Sequence, residues 1–304
     1  MPPQEEQAPD LKQTIEKIKR NGKDIDKNYI IDGKGRIIVK ADLRDQGGDY
    51  EVVYDLENIK DTGNSVYEVG FTCHEKKTGE TIKDVLVWIP SASRAGLLLS
   101  FDDDYLVSWE RNFPLFDKYN AKVTFFIIGK PSSFCGRAIR KGHDVGYHSL
   151  SHNDLRKLSR EKFNSETVGG AKAFRAAGYP VTSFAYPYGL HQPWMNEVLL
   201  GSFGTIRGFV KSFHIYTEDE IRHHFILSRS IDNTIIPSDE EFYRLINIML
   251  RTVKFIDKDQ VLPLTSHIVS DKASWGISAR RLEFLLKTAK ALGLVFYRYS
   301  DFAN

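Results

Sequence analysis

From residue 97 onward, short apolar runs alternate with longer stretches whose apolar residues recur at helical spacing. The runs fall at 97–101, 122–128, 144–147, 181–186, 205–209, 225–228, 261–266 and 294–299. Between most of them lie helical patterns at 108–119, 131–141, 159–177, 193–200, 238–255 and 278–291. Continuous rather than alternating apolar runs mark strands buried on both faces. Repeated strand–helix units over roughly 210 residues predict a parallel-stranded α/β barrel, with an open doubly wound sheet as the alternative. No Gly-rich phosphate fingerprint follows the first strand, which weakens the dinucleotide-binding form of that alternative.

The preceding stretch has a different pattern. Apolar and β-branched runs at 29–31, 37–39, 50–54, 67–71 and 85–89 are separated by turn pairs such as Asp32-Gly33, Gly47-Gly48, Thr62-Gly63 and Thr78-Gly79. This predicts a small antiparallel β domain. Leu11, Ile15 and Ile18 sit at helical spacing and predict a short helix. The expected organisation is a helix and tail over 1–27, a β domain over 28–95 with a linker at its end, and the α/β domain over 96–304.

Composition narrows the function classes. Of 304 residues, 41% are hydrophobic and 27% charged, and the formal net charge is +2. Nothing here calls for a nucleic-acid partner. No run approaches the roughly 18 apolar residues of a membrane span. The polar, proline-rich start, MPPQEEQAPD, is not the apolar segment of a signal peptide. The two cysteines, Cys73 and Cys135, fall in different expected domains and read as buried small hydrophobes.

Catalytic groups of such barrels lie at the C-terminal ends of the strands. The first strand ends in Asp102-Asp103-Asp104, the third reaches His148 with His152 four residues on, and the fourth ends in Tyr186-Pro187-Tyr188-Gly189. A later strand runs into Arg229 and Asp232, and the strand at 261–266 leads into His267. Two histidines at i and i+4 share one face of a helical turn and, with Asp103, form a His₂Asp set that leaves a coordination position free. The neighbouring Asp102 is then available as a base, and His267 as an acid.

Four segments, in order, resemble the motifs of the polysaccharide deacetylase family (NodB-homology, carbohydrate esterase family 4). They are Ser-Phe-Asp-Asp-Asp at 100–104, Lys-Gly-His-Asp-Val-Gly-Tyr-His-Ser-Leu-Ser-His at 141–152, Phe-Ala-Tyr-Pro-Tyr-Gly at 184–189 and Leu-Thr-Ser-His at 264–267. The resemblance covers roughly 96–300 and implies a distorted (β/α) barrel of about seven units. It implies zinc, or another divalent metal such as Co²⁺ or Ni²⁺, on Asp103, His148 and His152. It further implies Asp102 as general base, His267 as general acid, the Tyr188 N–H on the oxyanion, and Pro187 and Leu264 near the acetyl group. The activity implied is removal of N-acetyl groups from an N-acetylhexosamine polysaccharide by metal-activated water, at a site outside the cytoplasm. An O-acetyl esterase and an inactive glycan-binding homologue are the alternatives.

Two departures matter. The arginine that opens the family's third motif is replaced by Ala185, and Arg229 is the expected substitute in orienting Asp102, with Asp232 orienting His267. Asp104 replaces a glycine, where a left-handed backbone is tolerated by Asp better than by most residues. Among other residues, Tyr105, Tyr188, His191 and Trp194 offer ring faces to a sugar, or pack the rim. His143 reads as structural rather than as a fourth ligand, and His223-His224 as an exposed loop pair.

Overall fold

The computed structural model describes residues 29–31, 37–39, 50–63, 66–75, 78–88, 95–222, 225–255 and 260–303. The expected helix over 11–20 and the pair His223-His224 lie outside the described residues. The chain divides into two compact units, one ending at Ser93 and one beginning at Arg94, with Phe255–Asp257 grouped with the first.

The first unit is a five-stranded antiparallel meander. Its strands are β1 (Tyr29–Ile31), β2 (Ile37–Val39), β3 (Tyr50–Gly63), β4 (Val66–Glu75) and β5 (Thr81–Trp88), paired in chain order. The period-2 pattern places Val52, Phe71 and Cys73 on a buried face, with Val52 opposite Cys73. Burial pushes the Cys73 thiol up to about 11, and both cysteines are free.

The second unit holds β6 (Gly96–Asp103), β7 (Thr124–Ile127), β8 (Asp144–Tyr147), β9 (Ser183–Ala185), β10 (Thr205–Val210), β11 (Tyr216–Thr217), β12 (Phe225–Ser230), β13 (Gln260–Ser266), β14 (Ile268–Val269), β15 (Gly276–Ile277) and β16 (Val295–Tyr297). Seven of them, in the order β6-β7-β8-β9-β10-β12-β13, are parallel neighbours, and β13 pairs back onto β6. This is a closed parallel barrel, not an open sheet. The barrel is distorted at one seam, where β8 meets β9 through a single register pair, Tyr147 with Phe184.

The last expected strand does not enter the ring. β7 is short and pairs only with the second half of β6, from Ser100 on. β16 occupies the free edge of the first half, with Val295 opposite Gly96.

Strand parity explains the core. On β6 the odd residues Leu97, Leu99 and Phe101 are fully buried on one face, and Phe101 meets Phe116 and Phe125 at 5.8 Å. The even residues enter the barrel. Leu98 joins Phe126, Ile226, Val261, Tyr299 and Phe302 in one apolar cluster. Above it, Ser100 and Ser228 both bond the Thr265 hydroxyl, at 3.0 and 2.6 Å. Asp102 comes next, at the catalytic end.

His143 is 2% exposed, and its ring lies 5.2–5.4 Å from Phe113, Phe116 and Phe125. Burial, with Lys122 nearby, depresses it to about 4, while Asp117 opposes this and Lys141 and Arg298 add to it. An unfolded chain takes up this proton near its ordinary value, so stability from the neutral ring is lost as pH falls from about 6.5 toward 4. The expected loss across that window is on the order of 3 kcal/mol. Urea unfolding at pH 7 and pH 4.5 should show it, and His143→Met should flatten the difference.

Candidate active site

The acid run at the end of β6 splits into three environments by geometry. Asp102 is fully buried inside the barrel, Asp103 is half-buried at the mouth, and Asp104 is exposed. Asp103 has φ +88°, so the backbone turns left-handed at Asp103 rather than at Asp104. That twist at a non-glycine residue costs free energy and turns the second carboxylate out of the strand's plane toward the histidines.

His148 follows β8, and its Nδ1 donates to the Ala185 carbonyl at 2.8 Å, which leaves Nε2 free to accept or ligate. His152 does not sit one helical turn on. The connection is a loop in which Ser149 (φ +67°) and His152 (φ +56°) are left-handed, and Ser149 Oγ accepts from the His152 N–H at 3.0 Å. The i and i+4 spacing thus works through a strained turn, not a helix face. Asp103 Oδ1 lies 3.6 Å from His148 Nε2 and 3.3 Å from His152 Nε2.

The ligand atoms of Asp103, His148 and His152 lie within 4.8 Å of one another. Asp103 Oδ1 is buried without a hydrogen-bond partner among the described residues. Burial works against ionising Asp103, but the adjacent His148 and the charges of His267 and His152 outweigh it and hold the carboxyl below its usual range. His152 is held below its ordinary value by burial and by His148. A carboxylate and two imidazoles converging on one point fit a divalent transition metal.

Asp102 is bonded by Arg207 of β10, and both side chains are fully buried. Arg229 does not take this part. Arg229, at the end of β12, lines the cavity instead, with its guanidinium 5.8 Å from the Phe213 ring, and Asp102 is not its partner. Arg207 was legible in principle: a charge inside the apolar strand Thr-Ile-Arg-Gly-Phe requires a buried partner. Ala185, at the family's arginine position, instead packs in the barrel's apolar cluster.

His267 follows β13, and its Nδ1 lies 2.7 Å from Asp232 Oδ2. Asp232 is fully buried and also accepts from Ser230 and Ser266 at 2.7 Å each. Burial alone would lower His267, but the Asp232 bond, with the charges of Asp232, Asp102 and Asp103, raises it to about 9. The His267 carbonyl accepts from the Trp109 indole at 2.8 Å, fixing the backbone beneath the ring.

A cavity of ≈ 600 Å³ joins Asp103, His148, His152 and His267. Phe209, Ile235 and Trp275, none expected from the sequence, form much of its apolar wall. Tyr188 (φ +59°) is exposed at the mouth, its ring 4.6 Å from that of His152, and Pro187 is buried beside it.

Three expected contacts, Pro187, Leu264 and Trp194, are absent from the cavity lining. Leu264 is fully buried but alternates with inward-facing Thr265, so it points to the outer face. Trp194 is taken up by Phe163 at 4.9 Å and Arg160 at 4.2 Å. His191 likewise packs on Phe225 and Tyr186.

Residues 91–200 match the sequence profile of the polysaccharide deacetylase family. A bifunctional xylanase/deacetylase of Pseudobutyrivibrio xylanivorans is 29% identical over 122 residues, 34% of this chain and 20% of that protein. A peptidoglycan-N-acetylglucosamine deacetylase of Bacillus cereus is 29% identical over 105 residues, 32% of this chain and 38% of that protein. The matches thus span well under half of these relatives. The solved structure of the peptidoglycan deacetylase PdaC from Bacillus subtilis aligns with 69% of this chain and 90% of that one, with a TM-score of 0.47 and 17% identity. The matched stretch 91–200 carries the Asp102–Asp103 pair, the His148–His152 pair and the Pro187–Gly189 turn, so over that stretch the chain is similar to polysaccharide deacetylases.

Removing one partner of a buried ion pair leaves an uncompensated charge. Arg207→Met should therefore cost about 3–5 kcal/mol in urea unfolding at pH 7. Arg229→Met should cost far less, and Asp102→Asn should recover part of the Arg207→Met loss in the double variant.

Proposed function

We propose that the chain is a metal-dependent hydrolase that removes N-acetyl groups from an N-acetylhexosamine polysaccharide, such as peptidoglycan, a chitin-like glycan or an exopolysaccharide. The observation that carries this reading is a pair of fixed ion pairs flanking the Asp103–His148–His152 cluster. Arg207 holds Asp102 beside the Asp103–His148–His152 cluster, and Asp232 holds His267 in its protonated form. A metal at that cluster, when bound, supplies Lewis-acid polarisation and a more acidic water.

The residues then divide the proton traffic. Asp102, with its Oδ2 3.9 Å from His148 Nε2, takes the proton from the attacking water. The left-handed turn at Tyr188 presents that residue's N–H to the tetrahedral oxyanion. His267 gives its proton to the departing amine, and acetate and a free amine leave. Asp232 keeps the acid charged and oriented. The natural substrates lie in the cell wall or outside it, and extracytoplasmic action follows from that. No helix among the described residues is long and apolar enough to cross a membrane.

Acetate release from an N-acetylglucosamine oligomer series and from peptidoglycan tests the reading. Chelation with dipicolinate should abolish release, and Zn²⁺ or Co²⁺ should restore it. Asp102→Asn should lower kcat by about 10²-fold or more while the metal still binds. Acetate from acetylated xylan alone would replace the reading with an O-acetyl esterase. Glycan binding with no acetate from any substrate would make the chain a binding protein.

The pH profile gives a second check. His267 must be protonated to act, so activity should fall as pH rises through its value. Asp232→Asn removes the group that raises that value, so the alkaline limb should move to lower pH. An unmoved limb would remove His267 as the acid.

A further inference from the structure

Trp275 is 56% exposed, the largest side chain left open on the cavity wall. More than half of this apolar ring stays in water, so folding leaves a large part of its surface unburied. Trp109 is fully buried, and Trp194 is held between Phe163 and Arg160. The Trp275 ring instead stands 6.1 Å from the His267 ring, nearly perpendicular to it at 74°.

The backbone carrying this exposed ring is fastened on both sides. Asn233 N–H donates to the Gly276 carbonyl at 2.8 Å, and Asn233 Nδ2 to the Ala273 carbonyl at 3.1 Å. Thr234 donates to the Ser274 carbonyl through both its N–H, at 3.1 Å, and its hydroxyl, at 3.0 Å. β14 and β15 then pair, with Ile268 opposite Gly276. A Cβ at Gly276 would lie 2.3 Å from the Ile268 carbonyl oxygen, so only glycine permits this approach. Asn233 and Thr234 directly follow Asp232, which orients His267. The same short segment therefore sets the acid and the position of the Trp275 loop.

The geometry points to Trp275 as a specificity-determining residue that stacks on the apolar face of a pyranose ring. That sugar is the one whose acetamido group reaches the Asp103–His148–His152 cluster. The inference rests on the deacetylase reading and deepens it. The fixed platform selects ring-bearing acetamides over flexible N-acetylated amines and lowers KM rather than raising kcat. Pyranose C–H faces are apolar, and an indole offers the broadest flat surface for them. A platform that is already ordered loses little entropy on binding.

The test uses the full chain loaded with zinc, with penta-N-acetylchitopentaose as probe. Trp275→Ala should raise KM by on the order of tenfold with kcat within about twofold. Trp275→Phe should recover most of the loss, which a purely structural role would not predict. Adding the oligomer to the Asp102→Asn protein should change its tryptophan fluorescence, and that change should vanish when Trp275→Ala is added. Unchanged KM and an unchanged fluorescence response in Trp275→Ala would overturn the inference, as would Trp275→Phe behaving like Trp275→Ala. Absence of acetate release in the wild type would count against the deacetylase reading alone, because the fluorescence response still reports stacking.

Discussion

A carboxylate buried inside a closed barrel is the constraint on which this site depends. Asp102 has no exposed surface, and neither has the Arg207 that bonds it. Two unpaired charges in that place would cost several kcal/mol each. Paired, they sit between a layer of hydroxyls and the barrel mouth, at the level where Asp103 turns outward. The interior grades from an apolar floor through a hydroxyl layer to a charged rim. Arg207 also lies 4.3 Å from the Phe209 ring and 5.3 Å from Phe126, so its guanidinium is held by rings as well as by charge. Because β6 and β10 are far apart in sequence yet both belong to the ring, the pair also ties opposite parts of the barrel at its catalytic end.

The second constraint is backbone strain. Among the described residues, five non-glycine positions have positive φ, and four of them are Asp103, Ser149, His152 and Tyr188. The fifth, Asn120, caps a helix, where a left-handed residue is ordinary. Regular strand ends would aim successive side chains alternately in and out. The left-handed turns break that alternation and bring ligand atoms from β6 and β8 to one point. The surrounding β pairing and the Ser149–His152 bond hold the strain in place.

The barrel was legible because its strands are buried on both faces and read as unbroken apolar runs, 97–101 most clearly. Even so, the eighth run was read as another strand of the same series, since nothing local tells that β7 is too short to cover all of β6. The meeting of Asp103, His148 and His152 was legible from residue types at strand ends, but the reason for its geometry was not. A spacing of four suggested a helix face, and the turn that replaces it depends on backbone conformations that Ser149 and His152 do not advertise. The expected partners Arg229 and Leu264 were placed by motif position alone. A motif reports neighbourhood in sequence, whereas strand parity and register decide which neighbour meets which: Leu264 falls on the outward phase, and Arg229 lines the cavity while Arg207, one strand over, reaches Asp102. The Trp275 wall lay beyond the last motif, in a loop whose position depends on hydrogen bonds to residues about 40 positions away.

The three histidine environments show how one side-chain type is divided among incompatible tasks. His143, inside an aromatic cage, is depressed to about 4 and stays neutral. His152, partly buried beside His148, is pushed the same way, which suits a ligand that must offer a lone pair. His267 is as enclosed as these, yet rises to about 9 because its enclosure contains the Asp232 carboxylate. Burial alone therefore does not decide the charge of a histidine here: Asp103 near His152 does not overcome it, whereas the direct 2.7 Å bond between His267 and Asp232 does. A dication among the ligands would oppose that anion and draw the His267 value back toward neutrality, where an acid transfers its proton most efficiently. Asp232 then serves as a counterweight. Without it, burial alone would lower His267, and on the proposed reading a bound dication would add to that effect.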